Sequence, residues 1–187
     1  MNNLVPTNAE ELSKLAENFA NSNLVPLSYQ KKPLDCYVAI QCGMSMGLNP
    51  FQSLQNIAVI NGRPTVWGDA LIGLVRRHPD CKGIKETIDG EGDARTATCT
   101  VKRMQNGEVE EITATFSWKE AKNANLTTRG PWKLYPDRML QMRARSHALR
   151  DGFADAMAGV ITREEAEEYP EMKVVNEPEI KSEEQAK

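Results

Sequence analysis

The sequence has no run of about 18 apolar residues, and so offers no membrane-spanning helix. Its first residues, MNNLVPTNAEEL, lack the basic, then apolar, then small-residue order of a secretory signal, and a cytoplasmic location is expected. Asn125-Leu126-Thr127 fits a glycosylation acceptor, a match without weight when no export signal accompanies it. The four cysteines, Cys36, Cys42, Cys81 and Cys99, include no CxxC pair, and neither His78 nor His147 adjoins one. Reduced thiols in or near a core are expected, not zinc. There is no GxxxxGK[ST], GxSxG or HExxH motif. The carboxylate pair Glu110-Glu111 falls in a strand pattern, where neighbours point to opposite faces and cannot share one ion. The pairs Glu164-Glu165 and Glu167-Glu168 sit in an acid-rich stretch and read as a solvated face. Neither catalytic residues nor a metal or cofactor is therefore expected, and a metal-dependent nuclease built from scattered acids is the least favoured alternative.

What is present is a strong separation of charge. The 187 residues carry a net charge of only -3, yet residues 119–150 hold eight Lys or Arg against two acids, Glu120 and Asp137. That segment is locally +6, whereas residues 151–187 carry eleven acids and four bases. Trp132 and Tyr135 lie inside the basic segment. A cationic stretch with aromatic rings suits a polyanion that also presents flat faces, such as single-stranded nucleic acid. The length and the 40% hydrophobic content suit one core domain, placed at 1–169, followed by an acidic disordered tail at 170–187. As a functional element that tail would cover the basic helix or recruit a basic partner; otherwise it is a solubilising terminus.

The periodicities predict an α+β fold with N-terminal helices, a β-hairpin, a small antiparallel three-stranded meander and a long basic C-terminal helix. Thr7 and Glu10 form a capping box for a helix over 8–20. A second helix runs from near Pro33 to Gly47, and Asn49-Pro50 opens a short turn through Leu54. Asn61-Gly62 between two β-branched, apolar runs predicts a hairpin, followed by a short helix over 70–77. Residues 83–116 alternate as a meander, Thr96, Thr98 and Thr100 against Ala97, Cys99 and Val101. Ser117 and Glu120 cap a helix over 118–124, and residues 125–134 read as a loop. The long helix starts near Pro136 and reaches Phe153 or Met157. Thr162 with Glu165 caps a last short helix.

On that long helix, Arg138 and Arg145 are seven apart and share one side, while Arg143, His147 and Arg150 line a second face. Ala144 and Ala148 occupy a third sector, where another backbone can come close. Guanidinium groups one turn apart can contact successive phosphates, and Arg129 and Lys133 would extend the track, with Lys119 and Lys122 at its edge. The competing reading makes structural ion pairs of these arginines with Asp137, Asp151 or Asp155. Trp132 carries two readings as well, a stacking platform or a ring closing the core under its loop. Trp67 and Trp118 are expected in the core.

Three segments, in order, resemble the RecT/Redβ superfamily of phage single-strand annealing proteins over roughly residues 35–157. They are Met46-Gly47-Leu48-Asn49-Pro50, the stretch from Ile60-Asn61-Gly62-Arg63-Pro64 through Gly68-Asp69-Ala70-Leu71, and Gly130-Pro131-Trp132 followed by Met139 and an arginine-rich helix. Where the family usually has a "KT" pair after the methionine, this chain reads Gln141-Met142-Arg143-Ala144. The resemblance implies annealing of complementary single strands during recombination in the bacterial host cytoplasm, without ATP or covalent chemistry. It also implies a homo-oligomer, as ring or helical filament, with the hairpin 57–67 and the N-terminal helices against neighbours. A phage exonuclease or a host single-strand-binding protein is implied as a further partner. A monomeric adaptor for single-stranded DNA or RNA, without annealing activity, is the principal alternative.

Overall fold

Asn8, not Thr7, caps the first helix, α1 (Ala9–Ala20), its side chain accepting from the Glu11 amide at 2.9 Å. The cap stands one residue later than read and no reciprocal box is made, since the Glu11 carboxylate accepts from the amide and the hydroxyl of Thr7 and not from the Asn8 amide. The structure, a computed structural model, describes residues 5–61, 63–128 and 130–166. The expected acidic tail at 170–187, Gly62 of the hairpin turn and Arg129 all lie outside them.

Leu12, Ala16 and Ala20 form the buried stripe of α1, which packs on α2 (Pro33–Ser45). A reciprocal box between Asn49 and Gln52 starts α3 (Pro50–Asn56), which lies across α2. Gly43 makes that approach possible, since a β-carbon there would overlap the Ser53 side chain. The hairpin follows as β1 (Ile57–Ile60) and β2 (Arg63–Val66), with Asn61 at φ +51° in its turn. Next come α4 (Gly68–Arg77) and the antiparallel meander β3 (Cys81–Asp89), β4 (Thr96–Gln105) and β5 (Glu108–Ser117). The Ser117/Glu120 box is made in both directions and starts α5 (Trp118–Asn123).

Part of the expected loop at 125–134 is helical instead, as α6 (Gly130–Leu134). Pro131 near its start suits a first turn, and five residues are too few to show a helical period. The long basic helix is α7 (Pro136–Met157). After it, β6 (Ile161–Thr162) pairs parallel with β2 and widens the hairpin into a three-stranded sheet, ordered β1-β2-β6. Two residues carry no alternation, so this strand had no sequence signal. The last described helix, α8 (Arg163–Ala166), begins with the Glu165 amide donating to the Thr162 hydroxyl. The α+β class is therefore as read.

The core is one cluster that runs from Leu12, Ile40 and Leu54 of the N-terminal helices through Leu71 of α4 to the space between α7 and the meander. Ala97, Cys99 and Val101 are buried, while Thr96, Thr98 and Thr100 of the alternation are only partly covered. At Gly152 a β-carbon would stand 2.7 Å from Val101 Cγ2, so the missing side chain lets helix and sheet approach closely there. One residue later α7 is broken, with Phe153 at φ -140° and ψ 42°. Arg103 from β4 holds this break. Its guanidinium donates to the Gly152 carbonyl at 2.8 Å, forks onto Asp155 at 2.8 and 2.7 Å, and lies 4.9 Å from the Phe153 ring centre. A helix break leaves backbone groups that need partners, and Arg103 supplies one.

The Arg103 hydrogen bond holds the Asp155 carboxyl at about 2, below its ordinary 3.8. A carboxyl depressed by folding stabilises the protein above its unfolded value and ceases to do so as pH falls through the folded one. Asp155→Asn is accordingly expected to lower the melting temperature at pH 5, with the gap to wild type closing between about pH 4 and pH 2. A gap that persists unchanged at pH 2 would detach Arg103 and Asp155 from the break.

The remaining expectations divide. Cys36 and Cys99 are buried, Cys42 and Cys81 half-buried, and all four are free thiols. Trp67 is not in the core: its exposed ring is covered on one side by the Arg163 guanidinium, 4.1 Å from the ring centre. Trp118 is half-buried beneath Arg95 at 4.9 Å.

Candidate nucleic-acid interface

The two arginine groupings on α7 are real, but each converges on acids from other elements. On one side Arg138 and Arg145 donate to the same Asp69 oxygen, at 2.7 and 2.9 Å. Arg145 also makes a two-pronged pair with Glu86 of β3, at 2.7 and 2.8 Å, and Gln141 donates to the same carboxylate at 3.3 Å. The Arg145 side chain is 5% exposed and that of Glu86 15%. Burial alone would lower the Arg145 pKa; Glu86 and Asp69 outweigh it, and the net direction is upward. Arg145 is thus a structural residue joining α7 to the meander, not a free phosphate contact.

On the other side, Arg143, Ser146 and Arg150 converge on Glu165 of α8. Ser146 Oγ donates at 3.1 Å, Arg143 Nη1 lies 3.9 Å from the carboxylate, and Arg150 Nη2 is in direct contact with it. Burial pushes the Glu165 carboxyl up, but the Arg150 hydrogen bond and the two guanidinium charges hold it below its ordinary value. His147, edge-on to Phe116 at 5.8 Å, is shifted down, chiefly by burial and then by the Arg143 charge. The three acids expected as partners are not used in this way. Asp137 pairs with Arg95 at 2.9 Å and Asp155 with Arg103.

Trp132 is 3% exposed, its ring centre 6.1 Å from that of Phe116. Of the two readings the core one holds, and no base can stack on this ring in the described arrangement. Tyr135, between α6 and α7, is 66% exposed and takes the position of an accessible aromatic. It lies two residues after Lys133 and three before Arg138, both of which also face solvent. Their proximity was visible in the sequence; only the burial of Trp132 was not. Lys119 and Lys122 stand three apart on α5, both exposed, with Lys122 paired to Asp93 at 2.6 Å.

Lys133, Tyr135 and Arg138 are thus all exposed within six residues at the junction of α6 and α7. Lys119 and Lys122 belong to a separate helix, and Arg143, Arg145 and Arg150 are engaged with carboxylates. Among the described residues no group of three or more His, Cys, Asp or Glu is placed to hold a metal ion. None of the described helices is long and apolar enough to cross a membrane.

A second surface lies on the other side of the hairpin. A groove of about 560 Å³, lined mainly by apolar groups including Val38, Ala39, Ile57, Val59 and Pro64, runs along β1, the outer strand of its sheet. Val38 and Val59 are exposed within it.

A sequence model described as the RecT family matches residues 9–179, beyond both ends of the stretch that carries the motifs. No curated protein matches the chain.

Proposed function

The chain belongs to the RecT family of single-strand annealing proteins of recombination, and from that premise we propose that it binds single-stranded DNA without sequence preference and anneals complementary strands without nucleotide hydrolysis. The observation that carries the proposal is the exposed junction of Lys133, Tyr135 and Arg138. It combines two cations with an accessible ring, the pair of chemistries that sequence-independent strand binding needs. Lys119 and Lys122 add cationic surface on α5. Arg138 keeps one contact to Asp69, but this carboxylate is 71% exposed, and an exposed pair is easily exchanged for a phosphate.

The protein works as an oligomer in this reading. The outer edge of β1 and the apolar groove beside it offer pairing groups and apolar area to a neighbouring copy. Its setting is the bacterial cytoplasm, with a phage exonuclease or host single-strand-binding protein as further partners.

The test is the salt dependence of binding to a single-stranded oligonucleotide. The wild-type slope of log K against log salt is expected to be steep, and Lys133→Ala with Arg138→Ala to reduce it by roughly one to two units. An unchanged slope in a folded double variant would move the interface elsewhere. Light scattering with the same oligonucleotide separates an assembling protein from a monomeric adaptor.

A further inference from the structure

Pro64 has no N–H, so its pairing with Val59 is of the non-hydrogen-bonded kind, and the amide and carbonyl of Val59 point outward, away from β2. Ile57, two residues earlier, points the same way, but its outward groups are taken. Its amide donates to the Ser53 carbonyl, and its carbonyl accepts from the Tyr29 hydroxyl at 2.8 Å. No described residue takes those of Val59. The Val59 side chain, like that of Val38 across the groove, is 64% exposed. An open backbone bridge beside apolar surface is what an added extended segment requires.

The chain delivers such a segment to this place. The Ala166 carbonyl accepts from the Asn61 side chain at 3.1 Å, and Asn61 directly follows β1. Residue 167 therefore starts at the end of that strand. Val59 is two residues back from Asn61, about 7 Å along the strand. Five residues of extended chain, 167–171, reach up to roughly 17 Å. Beyond them comes Met172-Lys173-Val174-Val175, the one stretch of 167–187 with three apolar residues in four. Residues 167–187 also hold seven acids against three bases, while Lys32 and Arg163 line the groove with Asp35 as its one acid. An occupant tethered this close competes at an effective concentration on the order of millimolar, far above that of a free second copy.

We propose that residues 172–175 of the same chain lie in this groove in the unassembled protein and pair with β1 at Val59. On the oligomer reading above, a neighbouring copy takes this edge only by displacing the segment. The C-terminal residues thereby set the concentration at which assembly begins.

Cys42 lines the groove and reports its cover, and Cys81, half-buried on β3, is the control. The full chain is treated briefly with iodoacetamide, and alkylation of each cysteine is read by peptide mass. The double variant Val174→Pro with Val175→Pro removes the pairing amide in either register, since successive amides of a strand point to opposite sides. Alkylation of Cys42 is expected to run about threefold faster or more in this variant, with Cys81 unchanged. In the wild type, protection of Cys42 is expected not to depend on protein concentration. Equal Cys42 rates in the two proteins, or an equal rise at Cys81, overturn the cover. Protection that grows with concentration assigns the groove to a second copy and overturns the intramolecular seat. Light scattering without DNA reads the consequence, with the variant expected to assemble at a concentration about threefold lower. Equal thresholds overturn the competition for the edge. A wild-type chain that forms no assembly at any concentration removes the oligomer reading, while the Cys42 comparison still decides the seat.

Discussion

Arg145→Ala is expected to destabilise the fold by about 3–5 kcal/mol, the range for removing one partner of a buried ion pair. The cause is Glu86, which would keep its charge in a position 15% exposed, with Gln141 the one remaining donor among the described residues. The Asp69 contact adds little to this, since that carboxylate is largely in water. Urea unfolding of the variant at neutral pH measures the cost. A companion variant, Arg145→Met with Glu86→Leu, is expected to recover most of the loss, because well-packed apolar replacements of buried pairs are often neutral. A loss below about 1 kcal/mol in Arg145→Ala would show the pair to be dispensable. It would also return Arg145 to the residues available for DNA.

The second large effect separates the two aromatic residues of the basic segment. Trp132→Ala is expected to cost about 3–5 kcal/mol of stability, as deletion of a buried ring leaves a cavity beside Phe116. Tyr135→Ala is expected to change stability by no more than about 0.5 kcal/mol, as befits an exposed side chain. Its effect falls on binding, where one lost stacking contact weakens the complex by about 1–3 kcal/mol. Chemical unfolding and oligonucleotide titration of both variants test the division. If Tyr135→Ala binds as wild type and a folded Trp132→Ala loses affinity, the roles are reversed and α6 must open on binding.

These two residues show what the sequence made legible and what it did not. The position of the elements was readable wherever chemistry is local. The Ser117/Glu120 box, Asn49 before Pro50, Asn61 in its turn and the alternation of β4 each act over a few residues. The sides of α7 were readable for the same reason, since a helical period fixes which arginines share a face. What those faces meet was not readable. The partners of Arg145 lie 59 and 76 positions away, on β3 and α4, so nearby acids in the chain gave the wrong candidates. Trp132 beside glycine and proline looked like a loop residue, and only the arrival of Phe116 from β5 makes it core. β6 and α6 are too short to carry a period at all. The proposed site accordingly takes in Lys133, Tyr135 and Arg138 at the start of α7, where side chains remain exposed.

The central claim is tested most directly by mixing the protein with two complementary, dye-labelled single strands in low salt, without nucleotide or divalent metal, and following duplex formation by energy transfer. Pairing is expected to run well ahead of the spontaneous rate and to slow steeply as salt rises. Duplex formation no faster than in the absence of protein, with strand binding intact, would contradict annealing and leave a protein that only coats DNA.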